Sequence, residues 1–190
     1  MIKESVNNSK LLKTFNLVKS SSIFWIITFT FLTAVAAQIT IPVKPVPFTL
    51  QTMMVVLAGA FLGARNGAYS QVLYLALGSV GLPIFAQTPD GLVGFARLFG
   101  PTGGYLLAFP VAAYLTGYII EKNKSYIPVV LAMFAGNVII ILSGMSFLYT
   151  FYVREFSEAF KLGAVIFSAW TVAKVIASAS IYFGIKKSIK

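Results

Sequence analysis

The sequence predicts an all-α integral membrane protein, a bundle of six transmembrane helices with an ordered external loop. Of its 190 residues, 58% are hydrophobic and 11% are charged, whereas a soluble domain carries about 25% charged residues. The apolar residues gather into long runs, several of them about 18 residues or more, which is enough to cross a bilayer. The 15 Lys and Arg residues lie mostly at the two ends and in short gaps between these runs.

The first helix is predicted over residues 22–40, an apolar run that follows several lysines. Residues 49–63 and 64–80 form the second and third helices, with a tight turn at residues 65–67, where Arg, Asn and Gly interrupt the apolar pattern. Both helices are short for a span, so we expect one or both to be broken or to cross only part of the bilayer. Glycines recur here every fourth residue, a spacing that lets helix backbones approach each other. We therefore predict that Gly59, Gly63 and Gly67 serve helix packing.

The remaining helices are predicted over residues 102–120, 127–149 and 163–185, apolar runs that hold a single charged residue, Lys174. A Gly- and Pro-rich segment, residues 81–101, precedes the fourth helix. A loop of this length in a compact protein is usually functional or disordered. Its apolar content favours an ordered external lid.

The basic residues predict the orientation. With the N-terminus in the cytoplasm, ten of the fifteen fall in cytoplasmic segments, four in external segments and one, Lys174, inside a span. This agrees with the positive-inside rule and places both termini in the cytoplasm. We predict a multi-pass protein of the cell membrane with a single membrane domain, residues 1–190: a basic cytoplasmic segment (1–21), the bundle (about 22–185) and a basic cytoplasmic tail (186–190).

Lys174, in the middle of the sixth predicted helix, requires an explanation. A lysine at mid-span costs about 2.5–3.5 kcal/mol on insertion scales, and such residues usually face the protein interior or a water-filled cavity. Phe167, Trp170, Thr171 and Ser178 lie on the same helical face. This face suits a partly apolar ligand with polar atoms. The alternative is a snorkelling lysine, which would have to reach along about 15 Å of helix to the interface.

A second candidate site lies where the lid meets the fourth helix. Arg97 precedes the sequence GPTGGY at residues 100–105. Thr102 can cap the helix, and glycines let backbone N–H groups approach a ligand. A helix N-terminus with an arginine just upstream suits an anion such as a carboxylate. An ordinary turn with a surface arginine is the alternative interpretation.

The residue types that the sequence lacks exclude several classes of function. There is no His and no Cys, which removes the commonest acid–base group and metal ligand, the thiol nucleophile and any thiolate metal site. There is no P-loop for ATP, and no acidic residue falls inside a predicted span. The net charge of +10 is not arranged as a basic face interleaved with aromatic residues. We therefore expect no enzyme activity, no cofactor, no metal and no nucleic-acid partner.

Several motifs, in order from about residue 30 to residue 118, resemble those of the BioY family. They are VPFTLQT at 46–52, LAG at 57–59, LG at 62–63, SQ at 70–71 with LYL at 73–75, GLP at 81–83 with FA at 85–86, and PTGGY at 101–105. BioY proteins are the biotin-binding S components of energy-coupling factor (ECF) transporters. The resemblance implies a six-helix subunit in the lipid bilayer that captures biotin outside and delivers it inward, with a transmembrane coupling protein and two cytoplasmic ATPases as partners.

The resemblance also implies a binding site near the external side, under the first and third external loops and against the sixth helix. In many members the sixth helix carries Pro-Gly-Asp-x-x-Lys. Here Lys174 is kept, and Thr171 stands in the place of the acid. The implied roles are Lys174 with Thr171 at the polar ring of biotin, Arg97 at its carboxylate and Gln87 at a further polar contact. The full set of implied substrate-binding residues is Lys174, Thr171, Arg97, Gln87, Trp170, Gly103, Gly104 and Tyr105.

The alanine-rich signature by which S components dock the coupling protein would fall on the first helix. A strict Ala-x-x-x-Ala is absent, and the pairs Thr30/Ala34 and Thr33/Ala37 are its nearest equivalents. We expect this small face to pack inside the bundle or against a partner subunit. Two alternatives to biotin capture stay open: a non-transporting membrane scaffold or regulatory subunit, and an S component for a different small vitamin.

Overall fold

The chain is mostly helical in the computed structural model, which describes residues 21–41, 43–88 and 90–188. The helices are α1 Ser22–Gln38, α2 Gln51–Ser79, α3 Gly103–Leu107, α4 Phe109–Lys122, α5 Tyr126–Leu148, α6 Phe156–Phe160 and α7 Ile166–Ser188. A short antiparallel ladder pairs β1 Thr40–Ile41 with β2 Phe48–Thr49. A 3₁₀ segment covers Gly94–Phe99, and π-helical segments cover Tyr149–Val153 and Lys161–Val165.

Three helical stretches of the described chain are long and apolar enough to cross a membrane. They are Gly103–Lys122, Tyr126–Val153 and Phe156–Ser188, and α1 is a shorter apolar helix. The observed ends of α1 and α5 lie within two residues of the predicted ones. These stretches agree with the prediction of a helical membrane protein. The predicted basic segment 1–21 lies outside the described residues apart from its last residue, as do the last two residues of the tail.

α2 differs from the prediction of a turn at residues 65–67. The helical segment is continuous from Gln51 to Ser79, and only Gly63 has a non-helical backbone, with φ 81° and ψ 178°. This conformation is open to glycine and strained for other residues. A single glycine, Gly63, therefore makes the corner. The sequence predicts a three-residue turn at 65–67 instead.

The chain doubles back at this corner. A Cβ atom on Gly67 would lie 2.8 Å from the Gly59 Cα atom, although eight residues of straight helix would separate the two by about 12 Å. Further from the corner, the Gln51 side-chain amide donates a hydrogen bond of 2.6 Å to the Tyr74 hydroxyl. The two halves of α2 are therefore antiparallel neighbours, which corresponds to the predicted second and third helices.

Close backbone contact at these glycines extends to α4. A Cβ atom on Gly59 would lie 3.0 Å from the Gly117 nitrogen, and one on Gly117 would lie 2.7 Å from the Ala64 Cα atom. The Glu121 side chain, at the end of α4, accepts a hydrogen bond of 2.9 Å from the Ala64 N–H, the start of the second half of α2. The packing role predicted for Gly59 and Gly67 is confirmed, whereas Gly63 forms the corner.

The small-residue face of α1 lies inside the bundle. The Thr30 hydroxyl donates to the Ser70 carbonyl at 2.8 Å, and the Gln71 side chain donates to the Thr33 hydroxyl at 3.3 Å. Ala37 is fully buried, and Ala34 is half-buried. Of the two expected uses of this face, the structure shows packing within the chain. The assignment of these residues to a partner interface remains a prediction.

Three connections meet at one end of the bundle. The Tyr74 hydroxyl, near the end of α2, donates to the Ile84 carbonyl at 3.1 Å. The Tyr152 hydroxyl donates to the Phe99 carbonyl, which joins the segment after α5 to the 3₁₀ segment. The β1–β2 hairpin lies at the same end, because it joins the last turn of α1 to the first turn of α2. This end of the bundle contains the candidate site.

Candidate functional site

A cavity lies beneath these connections and between α2, α3, α4, α5 and α7. Its empty volume is about 610 Å³, including the part that is open to solvent. Apolar side chains, among them Phe85, Phe109 and Phe167, form much of the lining. The polar side chains of the lining include Gln51, Thr52, Arg97, Asn137, Thr171 and Lys174.

Lys174 projects from α7 into this cavity and is only 6% exposed. Its Nζ atom donates to the Thr52 hydroxyl at 2.6 Å and to the Thr49 carbonyl at 3.5 Å. In the described part of the chain, the one ion pair joins Arg97 to Asp90. Lys174 is therefore held by neutral oxygen atoms. Because a buried charge without a counterion is costly, a ligand that brings an anion or further acceptors would be stabilised here.

Thr171 and Phe167 precede Lys174 by one and two turns of α7 and line the same cavity. Trp170, predicted on the same face, is 38% exposed and lies outside the lining. Successive residues of a helix differ by about 100°, so Trp170 and Thr171 lie on opposite sides of the Lys174 direction. The Ser178 hydroxyl is buried and donates to the Lys174 carbonyl at 2.7 Å. The cavity is thus lined by one side of the predicted face, the side that carries Phe167, Thr171 and Lys174.

Arg97 lines the cavity from the lid and is 3% exposed. Its guanidinium donates to the Ala86 carbonyl, to the Thr88 hydroxyl and, at 3.0 Å, to the Leu92 carbonyl. It also pairs with Asp90 at 3.1 Å. Burial lowers the pKa of the Arg97 guanidinium below its ordinary value, and Asp90 opposes this effect. Residues 86, 88, 90 and 92 of the lid thus surround a buried cation.

The start of α3 differs in part from the prediction. Tyr105 lines the cavity, and its hydroxyl donates to the Gly163 carbonyl at 2.8 Å. Gly103 and Gly104 are buried and allow close packing: a Cβ atom on Gly104 would lie 2.7 Å from the Ser143 carbonyl of α5. Thr102 makes no capping bond. Its buried hydroxyl lines the cavity and has no hydrogen-bond partner in the described structure, so the predicted cap is wrong.

Comparison with known proteins shows to which family the chain belongs. The BioY family model matches residues 8–190. The chain belongs to the BioY family. The biotin transporter BioY of Thermotoga maritima is 38% identical over 159 residues, which are 84% of this chain and 92% of that protein. The probable biotin transporter BioY of Pyrococcus horikoshii is 36% identical over 157 residues, 83% and 91% of the two chains.

A solved structure shows the same fold. The crystal structure of the S-component for biotin from an ECF-type ABC transporter matches with a TM-score of 0.80 and 24% identity. The match covers 89% of this chain and 92% of that chain. This member of the BioY family therefore has the S-component fold, and the resemblance read from the motifs is confirmed.

Within this BioY fold the cavity brings together four of the residues predicted to bind substrate: Lys174, Thr171, Arg97 and Tyr105. Gln87 is exposed and lines a separate outer groove. Trp170 lies outside the lining because it points to the other side of α7. Gly103 and Gly104 lie outside it because they pack closely against neighbouring segments. These positions depend on helix geometry and on contacts between helices. The spacing of residues within one segment of the sequence does not reveal such contacts.

The BioY cavity also contains polar residues that sequence reasoning did not select. Asn137 is 2% exposed, and its side-chain amide donates to the Met133 carbonyl at 2.9 Å. The feature of the sequence that could have indicated Asn137 is an amide side chain in the middle of the apolar run of α5. Thr52 and Gln51 belong to the VPFTLQT motif, which indicates the family but not the position of the site. The Gln51 carboxamide accepts from the Thr49 hydroxyl at 3.0 Å.

Proposed function

We propose that this chain is the substrate-binding subunit of a vitamin uptake transporter and that it captures biotin in the cavity beneath the lid. The observation that carries the proposal is the buried Lys174 ammonium, which has no acid partner among the described residues and lies in a largely apolar cavity. Biotin combines an apolar ring and chain with a ureido group and a carboxylate. Relatives that match most of the chain are named biotin transporters.

The proposed contacts follow the cavity wall. Lys174 and Thr171 bind polar atoms of the ligand, with Asn137 as a further donor or acceptor, and Phe167 and Tyr105 cover its apolar part. Arg97 remains the proposed partner of the carboxylate. The proposal includes no catalytic step and no cofactor.

We infer six membrane segments: α1, the two halves of α2, α3 with α4, α5, and α7. The lid (81–101) then faces outward, both termini lie in the cytoplasm, and residues 1–190 form one domain of the cell membrane. The antiparallel halves of α2 and the distribution of basic residues support this arrangement. We propose an ECF-type coupling protein and two ATPases as its partners in transport; the ATPases would hydrolyse the ATP, since the sequence itself has no P-loop.

The test is to purify the protein from membranes of cells grown on several vitamins and to identify the small molecule released on denaturation by mass spectrometry. We expect biotin from the wild type and much less from Lys174→Met prepared in parallel. A different vitamin would indicate an S component of other specificity. Copurification of a protein partner without any small molecule would favour the scaffold and overturn the proposal.

A further inference from the structure

A groove lies at the end of the bundle opposite to the candidate site. It is formed by the corner of α2, the end of α4 and the last turns of α7, and it measures about 920 Å³, including its open part. Three charged side chains line it, Glu121, Lys124 and Lys186. Most of the other lining residues are apolar. We call this space the basic-end groove.

The apolar wall of the basic-end groove continues onto the surface of a membrane-spanning helix. Phe61 of α2 and Tyr182 of α7 lie side by side in this wall, with 5.2 Å between their ring centroids. Ile185, one turn further along α7, also lines the groove and is 45% exposed. An apolar wall that opens along a spanning helix suits the acyl chain of a lipid.

The two lysines of the groove have no acidic partner in the described part of the chain. Lys124 is exposed and Lys186 is half-buried. The Lys186 Nζ atom lies 5.5 Å from the centroid of the Tyr182 ring, within the range of a cation–π contact, which extends to about 6 Å. The Glu121 carboxylate already accepts a hydrogen bond of 2.9 Å from the Ala64 N–H. The groove therefore offers two uncompensated ammonium groups.

The surroundings of the groove add further positive charge. Arg65 at the corner of α2, Lys122 at the end of α4 and Lys187 in the last turn of α7 are all exposed. With the two lysines of the lining they make five basic residues, and Glu121 is the one acid among the described residues of this end. Basic pockets between spanning helices bind the head groups of anionic lipids, because the charges are complementary.

We propose that the basic-end groove is a binding site for an anionic phospholipid. The lipid phosphate lies between the ammonium groups of Lys124 and Lys186, and an acyl chain follows Phe61, Tyr182 and Ile185 along α7. A free phosphate ion would use the ammonium groups and leave the apolar wall uncovered, so the wall favours a lipid. The groove lies at the opposite end from the cavity, and the inference therefore does not depend on biotin as the ligand.

The test uses the purified full-length protein in detergent, titrated with dioleoyl phosphatidylglycerol or dioleoyl phosphatidylcholine, and native mass spectrometry counts the bound lipid. We expect the anionic lipid to bind about tenfold more tightly than the zwitterionic one. In Lys124→Gln/Lys186→Gln its affinity should fall by about tenfold or more, because both phosphate donors are lost. Lys44→Gln/Lys161→Gln is the matched control: it removes the same charge from exposed positions at the cavity end and should bind like the wild type.

Equal affinity for phosphatidylglycerol in the two double variants would overturn the proposal, and so would equal binding of the two lipids by the wild type. Glycerol 3-phosphate should not compete with the lipid; full competition would indicate a site for a free phosphate. Loss of a copurifying protein, with lipid binding unchanged, would indicate a protein interface instead. Melting temperatures show whether each variant folds, and the single variant Lys124→Gln tests the site if the double variant does not. Biotin binding should be equal in all variants.

Discussion

Lys174 differs from Arg97 in how the protein compensates its charge. Arg97 has an acidic partner and carbonyl acceptors within its own loop. Lys174 has the hydroxyl of Thr52 and the carbonyl of Thr49. At the scale of single residues, a hydrogen-bond acceptor on a ligand would therefore stabilise Lys174 more than Arg97.

We predict that Lys174→Met weakens biotin binding at least tenfold, about 1.4 kcal/mol, because the cavity loses its uncompensated donor. The melting temperature should not fall, since replacing a buried charge by an apolar residue is often neutral or stabilising. Isothermal titration calorimetry measures the affinity. Lys187→Met, at an exposed position of the same helix, is the control and should bind like the wild type. Unchanged affinity in Lys174→Met would remove Lys174 from the site.

Thr171 is one turn from Lys174 and is 4% exposed. A carboxylate makes charge-assisted hydrogen bonds that are stronger than those of a hydroxyl. We predict that Thr171→Asp binds biotin more tightly than the wild type, because the acid accepts from the ureido N–H groups. Thr171→Val, which keeps the side-chain shape without the hydroxyl, should bind more weakly. Competition with labelled biotin measures both, and weaker binding by Thr171→Asp would contradict the assignment of the ureido ring to this position.

At the scale of elements, the corner of α2 shapes the bundle. Gly63 reverses the chain within one residue, and Gly59, Gly67 and Gly117 allow three helical segments to touch through their backbones. In lipid, where the hydrophobic effect between helices is absent, such close packing is a main source of helix association. The N–H of Ala64 at the corner is satisfied by Glu121.

We predict that Gly117→Ala lowers the melting temperature in detergent, because its Cβ atom would lie 2.5 Å from the Gly63 carbonyl carbon. This contact is with backbone, so the helices must separate. Gly184→Ala, whose Cβ atom would meet nothing within 4 Å, is the control. It should be neutral or stabilising by up to about 1 kcal/mol from helix propensity. Equal effects of the two substitutions would contradict the packing role of Gly117.

At the scale of the whole molecule, the cavity lies at one end of the bundle, and described basic residues lie at both ends. Lys124 lies in the connection between α4 and α5, and Lys187 lies in the last turn of α7; both are distant from the cavity. Lys44 and Arg154 lie in connections at the cavity end. Outward capture therefore requires that the cavity end face the exterior.

We predict that cysteines at Lys44 and Arg154 react with a membrane-impermeant maleimide on intact cells, and that cysteines at Lys124 and Lys187 react only after permeabilisation. The natural chain contains no cysteine, so each single substitution reports one position. The reverse pattern would contradict the proposed orientation.

The helices were predictable from the sequence because apolar runs are local and bilayer thickness sets their length. The ends of α1 and α5 agree with the prediction within two residues for this reason. The corner at Gly63 was not predictable to the residue, because Arg, Asn and Gly at 65–67 carry the stronger turn signal, whereas the actual break depends on contacts with α4.

The sequence by itself determined a helical membrane protein, its resemblance to the BioY family, and a mid-span lysine that must face a protected polar environment. Only the tertiary structure decided which groups meet in that environment. Thr52 and Lys174 are 122 residues apart and share a hydrogen bond, and Arg97 is enclosed by its own lid. Local composition and bilayer energetics determine which segments are helical, whereas the contacts of a cavity depend on how distant segments pack.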